Sequence, residues 1–183
     1  MNFDSFSHGQ IKSKLWLCEQ LEPLLPATAD VAILGSWYNV LGFMMLTRNQ
    51  NRYNSITGVD NDKKAIDIAD KICNYWIMDN IKIRNLELDA NSMVFDFCNV
   101  IINCSAEHMK NRQWYEKIPS GSLVCIQSSN VTEINDPWFI QNPSTSISDF
   151  ASKYPLTTTL FLDTLPIRYQ SWGYDRYMVI GIK

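Results

Sequence analysis

An excess of positive charge is missing from this chain: 16 Lys and Arg stand against 19 Asp and Glu, for a formal net charge of −3. So balanced a chain exerts no general pull on nucleic acid or on an anionic membrane. That excludes a nonspecific nucleic-acid binder and leaves room only for a local patch. Long apolar runs are missing too, and none approaches the roughly 20 residues that cross a bilayer. The opening Met1-Asn-Phe-Asp-Ser5 has no basic stretch followed by an apolar one, so no secretion signal is expected. The five cysteines (Cys18, Cys73, Cys98, Cys104, Cys125) are scattered and odd in number, with no C-x-x-C pair. They read as reduced packing residues of a cytoplasmic protein rather than a disulfide framework. Histidine is scarce: His8 and His108 lie far apart, and no Cys or acid cluster has ligand spacing, so no metal site is expected. Glycine is scarce as well, and the full G-x-G-x-x-G fingerprint of nicotinamide sites is absent.

What is present is an alternation of strand-like and helix-like segments along 183 residues, a length suited to one domain. The stretch Val31-Ala-Ile-Leu-Gly-Ser-Trp-Tyr-Asn-Val-Leu-Gly42 is an apolar run, then Gly35, then a polar-aromatic turn, then a second apolar run. This is the pattern of a buried strand delivering a tight loop to a helix N-terminus, the place where open α/β sheets bind ligands. Before it, Ser7-His-Gly-Gln10 fits a capping box, and Ile11, Leu15, Cys18 and Leu25 continue at helical spacing, closed by Pro23 and Pro26. Residues 1–28 therefore read as an N-terminal helical cap on a domain over 29–183.

Further strands are expected at 31–35, 55–60, 83–89, 95–104, with Val100-Ile-Ile at its heart, and 122–127. Helices are expected at 39–49, from a cap at Asn61 or Asp62 through Trp76, at 108–117, and at 148–153. Residues 130–147 read as a long loop whose Trp138 and Phe139 could line a pocket. Two closing strands, 157–165 and 174–183, are joined too closely for a helical crossover and should pair antiparallel. The expected fold is a doubly wound α/β domain. Its seven-stranded, mostly parallel sheet carries a C-terminal antiparallel strand and helices on both faces.

Four strand ends then share one edge of the sheet: Gly35-Ser-Trp, Asp60, Asp89 and Asn103-Cys-Ser. An acid about twenty residues beyond a glycine loop is placed to accept hydrogen bonds from ribose hydroxyls, and a carboxylate accepts two at once. With Ile-Leu-Gly-Ser36, Gly-Val-Asp60, Leu-Asp-Ala90, Val-Ile-Ile-Asn-Cys-Ser105, Ile-Pro-Ser-Gly-Ser-Leu-Val124 and the closing Arg-Tyr-Met-Val-Ile-Gly181, the chain resembles a small class I S-adenosylmethionine-dependent methyltransferase. The resemblance covers roughly residues 30 to 183 and rests on the order and spacing of the pieces.

The resemblance implies S-adenosyl-L-methionine as cofactor and methyl transfer to an unidentified acceptor. It implies a ribose contact at Asp60 with Asn61 beside it, and an adenine-side contact at Asp89 and Ala90. Gly35, Ser36 and Trp37 would cradle the methionine part, Asn103 would face the transferred methyl, and Tyr38 and Ser105 would be further cofactor contacts. Gln10 and Lys14 resemble N-terminal segments that close over the cofactor. Asn103, Glu107 and His108 are the catalytic candidates, His108 because imidazole titrates in the range of a base; His8 reads as a surface residue near a helix cap. Two departures stand out. Ile33 occupies the place of the family's usual first-strand acid, and Trp37, Tyr38 and Asn39 replace its further glycines; Asn39 or a first-helix residue is the expected substitute for the acid. No Asn/Asp-Pro-Pro-Tyr/Phe follows the fourth strand, which argues against methylation of adenine, cytosine or glutamine amides. A nicotinamide oxidoreductase and a noncatalytic nucleotide-binding module are the competing readings.

Overall fold

The computed structural model describes residues 2–78, 83–131 and 140–183. A 3-10 turn at Phe3–Phe6 leads into α1 (His8–Leu21), and a second at Glu22–Leu24 follows it. Then come β1 (Ala29–Leu34), α2 (Val40–Asn49), β2 (Tyr53–Asp60), α3 (Lys63–Met78), β3 (Ile83–Glu87) and β4 (Val100–Asn103). The chain closes with α4 (Gln113–Glu116), β5 (Leu123–Ser129), α5 (Ile147–Lys153), β6 (Thr158–Arg168) and β7 (Gly173–Ile182).

The seven strands form one sheet in the order β3-β2-β1-β4-β5-β7-β6. The first five run parallel, and β7 lies antiparallel to both β5 and β6. The strand order reverses between β1 and β4, so a crevice opens there at the carboxyl edge. The sequence explains which strands are central. Val31 to Leu34, Val100 to Asn103 and all of β5 are buried, as strands covered on both faces must be. Pro166, which lacks a backbone N–H, sits in β6 at the edge, where no further strand needs that donor.

Side chains alternate between the two faces. Val31 and Ile33 join Leu17, Cys18, Leu21, Leu41, Met45 and Cys73, so α1, α2 and α3 cover one face. Ala32 and Leu34 join Trp114, Tyr115, Phe150 and Tyr154, so α4 and α5 cover the other. α3 shows the mechanism plainly: Ala65, Ile66, Ala69 and Cys73 are buried at helical spacing while Lys63, Lys64, Asp67 and Lys71 stay exposed.

Several expectations need correction. Ser7 sits at the α1 cap, but its side chain makes no capping bond, and Gln10 instead accepts from the Lys14 ammonium. The expected helix over 108–117 is broken into a 3-10 turn at Ala106–His108 and the four-residue α4. Asn111 Oδ1 accepts the Gln113 N–H at 3.2 Å, a local side-chain bond that competes with helix continuation. β3 stops at Glu87, so Asp89 lies in the following turn, and β4 starts only at Val100. Trp138 and Phe139 lie outside the described residues. Among the described residues no helix is long and apolar enough to cross a membrane.

Candidate cofactor site

The carboxyl edge of β1 turns at Gly35, whose φ is +58°. A side chain there would be strained, and its Cβ would sit 2.8 Å from Ser105 Cβ. The two loops are stitched together at this point: the Ser105 hydroxyl donates to Gly35 O at 2.9 Å, and Ser36 N–H donates to Val59 O at 2.9 Å. Trp37 and Asn39 also hold positive φ, 51° and 47°, a conformation costly for a tryptophan.

Asp60 explains how that conformation persists. Its Oδ2 accepts the Trp37 N–H at 2.8 Å, and its Oδ1 accepts the Asp62 N–H at 3.0 Å. Each oxygen retains a further lone pair for a ligand hydroxyl. Asn39 is fully buried and spent on structure. Its Oδ1 accepts from Gly42 N–H at 3.2 Å, and its Nδ2 donates to Asn85 Oδ1 at 2.7 Å; Asn85 in turn donates to Asp70 Oδ1 at 2.9 Å. The expectation that Asn39 substitutes for the missing acid therefore fails: no atom of it reaches the cavity lining, because it caps α2 and fills the gap beside Gly58.

A cavity of about 820 Å³ opens over these loops. Among the expected residues, Gly35, Ser36, Trp37, Tyr38, Asp60, Asn61, Asp89, Ala90, Ser105 and His108 line it, with Gln10 and Lys14 from α1. Ile33 also contributes to its wall. Asp89 Oδ1 accepts from Asn91 N–H at 2.9 Å and Asn91 Nδ2 at 3.0 Å, which fixes the far rim. The Trp37 and Tyr38 rings lie 4.8 Å apart, and Tyr38 Oη accepts the Asn2 N–H at 2.9 Å.

Asn103 and Glu107 lie behind the lining rather than in it. Asn103 is fully buried; its Oδ1 accepts the Ser105 N–H at 2.9 Å and so shapes the turn that carries Ser105. Glu107 is 2% exposed and receives a hydrogen bond from Arg176 Nη1, while Arg176 Nη2 donates to Cys104 O. Burial is the largest influence and works against the Arg176 charge, but Glu107, Tyr174 and Cys104 together outweigh it, so the pKa of Arg176 is raised. His108 Nε2 lies 3.9 Å from Glu107 Oε1 with the ring partly open to solvent.

Sequence reasoning missed Asn2, Asp4, Ser5, Leu88, Asn91, Cys104, Met109, Lys110, Gln141 and Arg176 in the lining. Arg176 left a signal: it is a cation leading into the apolar run Tyr177 to Ile180, which demands a buried anion. Asn2 left one as well, since Asn-x-Asp at a chain start is a turn-capping pattern, and Asn2 Oδ1 does accept the Asp4 N–H at 2.9 Å.

No family model and no curated protein matches the sequence. Solved structures do match the fold. The N-methyltransferase NodS from Bradyrhizobium japonicum WM9 superposes with a TM-score of 0.69 at 9% identity, over 95% of this chain and 97% of that one. MccD protein gives 0.71 at 11% identity, over 96% and 98%. Magnesium protoporphyrin IX methyltransferase from Synechocystis PCC 6803, solved with bound S-adenosylmethionine, gives 0.66 at 8% identity, over 93% and 78%. With its seven-stranded sheet, its antiparallel final strand and these superpositions, the chain has the fold of the class I S-adenosylmethionine-dependent methyltransferases.

Proposed function

We propose that the protein binds S-adenosyl-L-methionine in this cavity and transfers its methyl group to an acceptor yet to be identified, in the cytoplasm. The observation that carries the reading is Asp60: a carboxylate at the end of β2, beside the β1–β4 crevice, held by two backbone N–H groups and facing a ligand-sized cavity. The residues present fit the cofactor. Asp60 would hold the ribose hydroxyls with Asn61 beside it, and Asp89 and Ala90 would border the adenine. Gly35 and Ser36 would run along the methionine part, close because Gly35 has no side chain to intervene.

The bound cofactor supplies an electrophilic methyl on a sulfonium, with the sulfur taking the electrons of the broken C–S bond. The chain's part is to bind, align and exclude water. Ser105 and Asn103 fix the crevice in which the two reactants would meet. His108 is the residue we assign to accept a proton from the acceptor, because it lines the cavity from the turn that follows β4. Glu107 is a positioning residue behind it. The five cysteines, all free thiols, agree with a reducing compartment.

Calorimetric titration with S-adenosylmethionine and S-adenosylhomocysteine tests the reading, with Asp60→Asn beside the wild type. Asp60→Asn keeps an acceptor oxygen for the loop and removes the charge. Micromolar binding that weakens at least tenfold in the variant is the expected result. A wild-type protein that binds neither ligand would overturn it.

A further inference from the structure

The cavity lining is charged from two parts of the chain: Asp60 and Asp89 come from the end of β2 and the turn after β3, and Asp4 and Lys14 from the N-terminal turn and α1. Ile33 also lines it, at the β1 position where the resemblance leads one to expect an acid. Asp4 and Lys14 are opposite charges brought to one wall by the same N-terminal segment, yet among the described residues no ion pair joins them. The Asp4 carboxylate accepts no hydrogen bond from any described residue, and the Lys14 ammonium donates only to the Gln10 amide. Burial holds Lys14 down to about 8; the Asp4 charge acts on it from within range without touching it. A partly buried carboxylate and a desolvated ammonium left apart on one cavity wall form a slot for a ligand that carries both charges itself.

We infer that Asp4 and Lys14 clamp the zwitterionic amino-acid end of the cofactor, Asp4 taking the ammonium and Lys14 the carboxylate, in place of the acid that β1 lacks. The inference rests on the cofactor reading above. The clamp is built in advance. Asn2 caps the turn that presents Asp4, Ser5 Oγ donates back to Asn2 O at 3.0 Å, and Asn2 N–H ties the turn to Tyr38. α1 is anchored behind Lys14: Ser13 Oγ donates to Gln127 Oε1 at 3.0 Å, and Gln127 Nε2 donates to Ser13 O at 3.2 Å. Glu107 and Cys104 O engage the two terminal nitrogens of Arg176, another cation of the lining, and direct them to the turn beyond β4.

The test compares S-adenosylhomocysteine with 5′-methylthioadenosine, which has the same adenosine and no amino-acid end. Calorimetry on wild type, Asp4→Asn and Lys14→Met gives the affinity of each ligand. Each variant is expected to weaken S-adenosylhomocysteine by about tenfold to a hundredfold, the worth of one charge-assisted hydrogen bond, and to leave 5′-methylthioadenosine unchanged. A deaminated analogue of S-adenosylhomocysteine should stay sensitive to Lys14→Met and become indifferent to Asp4→Asn. Unchanged binding of 5′-methylthioadenosine shows that the variants are folded. An unaltered affinity ratio between the two ligands in both variants would overturn the clamp while leaving the cofactor reading intact. Failure of the wild type to bind either ligand would remove both.

Discussion

The turn between the β1 loop and α2 is held in part by one buried side chain, Asn39, and its removal has a calculable cost. Asn39 adopts φ 47°, caps α2 and links through Asn85 to Asp70. Asn39→Ala would lose the cap, about 1 kcal/mol. It would also lose the bond to Asn85, again about 1 kcal/mol, and force an alanine into the left-handed region for roughly a further 1 kcal/mol. Asn39→Gly loses the same bond to Asn85 but costs only a few tenths at the cap and avoids the backbone strain. The expected destabilisation is therefore about 3 kcal/mol for alanine and about 1–2 kcal/mol for glycine. Urea unfolding of the three proteins measures it, with equal m-values as the sign that only stability has changed. Against a total of about 5–15 kcal/mol, the alanine variant should still fold. Equal midpoints for alanine and glycine would refute the claim that left-handed strain is held there by the asparagine.

Other outcomes follow from buried charge. Lys14→Met should stabilise the ligand-free protein by about 1–2 kcal/mol near neutral pH, a value discounted for partial solvent access, because it removes a desolvated ammonium. The folded pKa of about 8 lies below the ordinary 10.5, so protonation favours the unfolded chain. The wild type therefore recovers as pH rises from 8 towards 10.5, and the variant's advantage should be full below pH 8 and shrink above it, as read from paired urea melts. Arg176→Met would strand Glu107, whose Oε2 already lacks a partner, and should cost about 3–5 kcal/mol. Pairing it with Glu107→Leu should restore much of that loss in thermal melts.

The sheet was legible because its strands announce themselves by burial. Val31 to Leu34 and Val100 to Ile102 are continuous apolar runs, and both are central. Asp60 was legible for the same reason, as the first side chain after the buried run of β2, whereas Asp89 follows a half-exposed strand and lies in the turn beyond it. Asn103, Glu107 and Asn39 show where such reading stops. Position along the chain brought each to the carboxyl edge, but side-chain direction decided that each would hold the loops rather than face the cavity. The break near Asn111 depended on a bond between neighbours that periodicity does not encode. Asp4 was illegible because its part is set by a distant tether, the hydroxyl of Tyr38.

That tethering has a consequence for the order in which the protein becomes functional during synthesis. α1 precedes its partners by more than a hundred residues: Gly9 N–H donates to Tyr169 Oη at 3.1 Å, Lys12 Nζ donates to Pro166 O at 3.2 Å, and Ser13 is held by Gln127. Arg176, which braces the turn beyond β4, comes later still. A nascent chain carrying β1 to β4 would hold Gly35, Asp60 and Asp89 of the cavity lining and lack the anchors of α1. Such non-local closure is slow and must await the β6–β7 hairpin. The cavity wall that α1 supplies is therefore set only once that hairpin has formed.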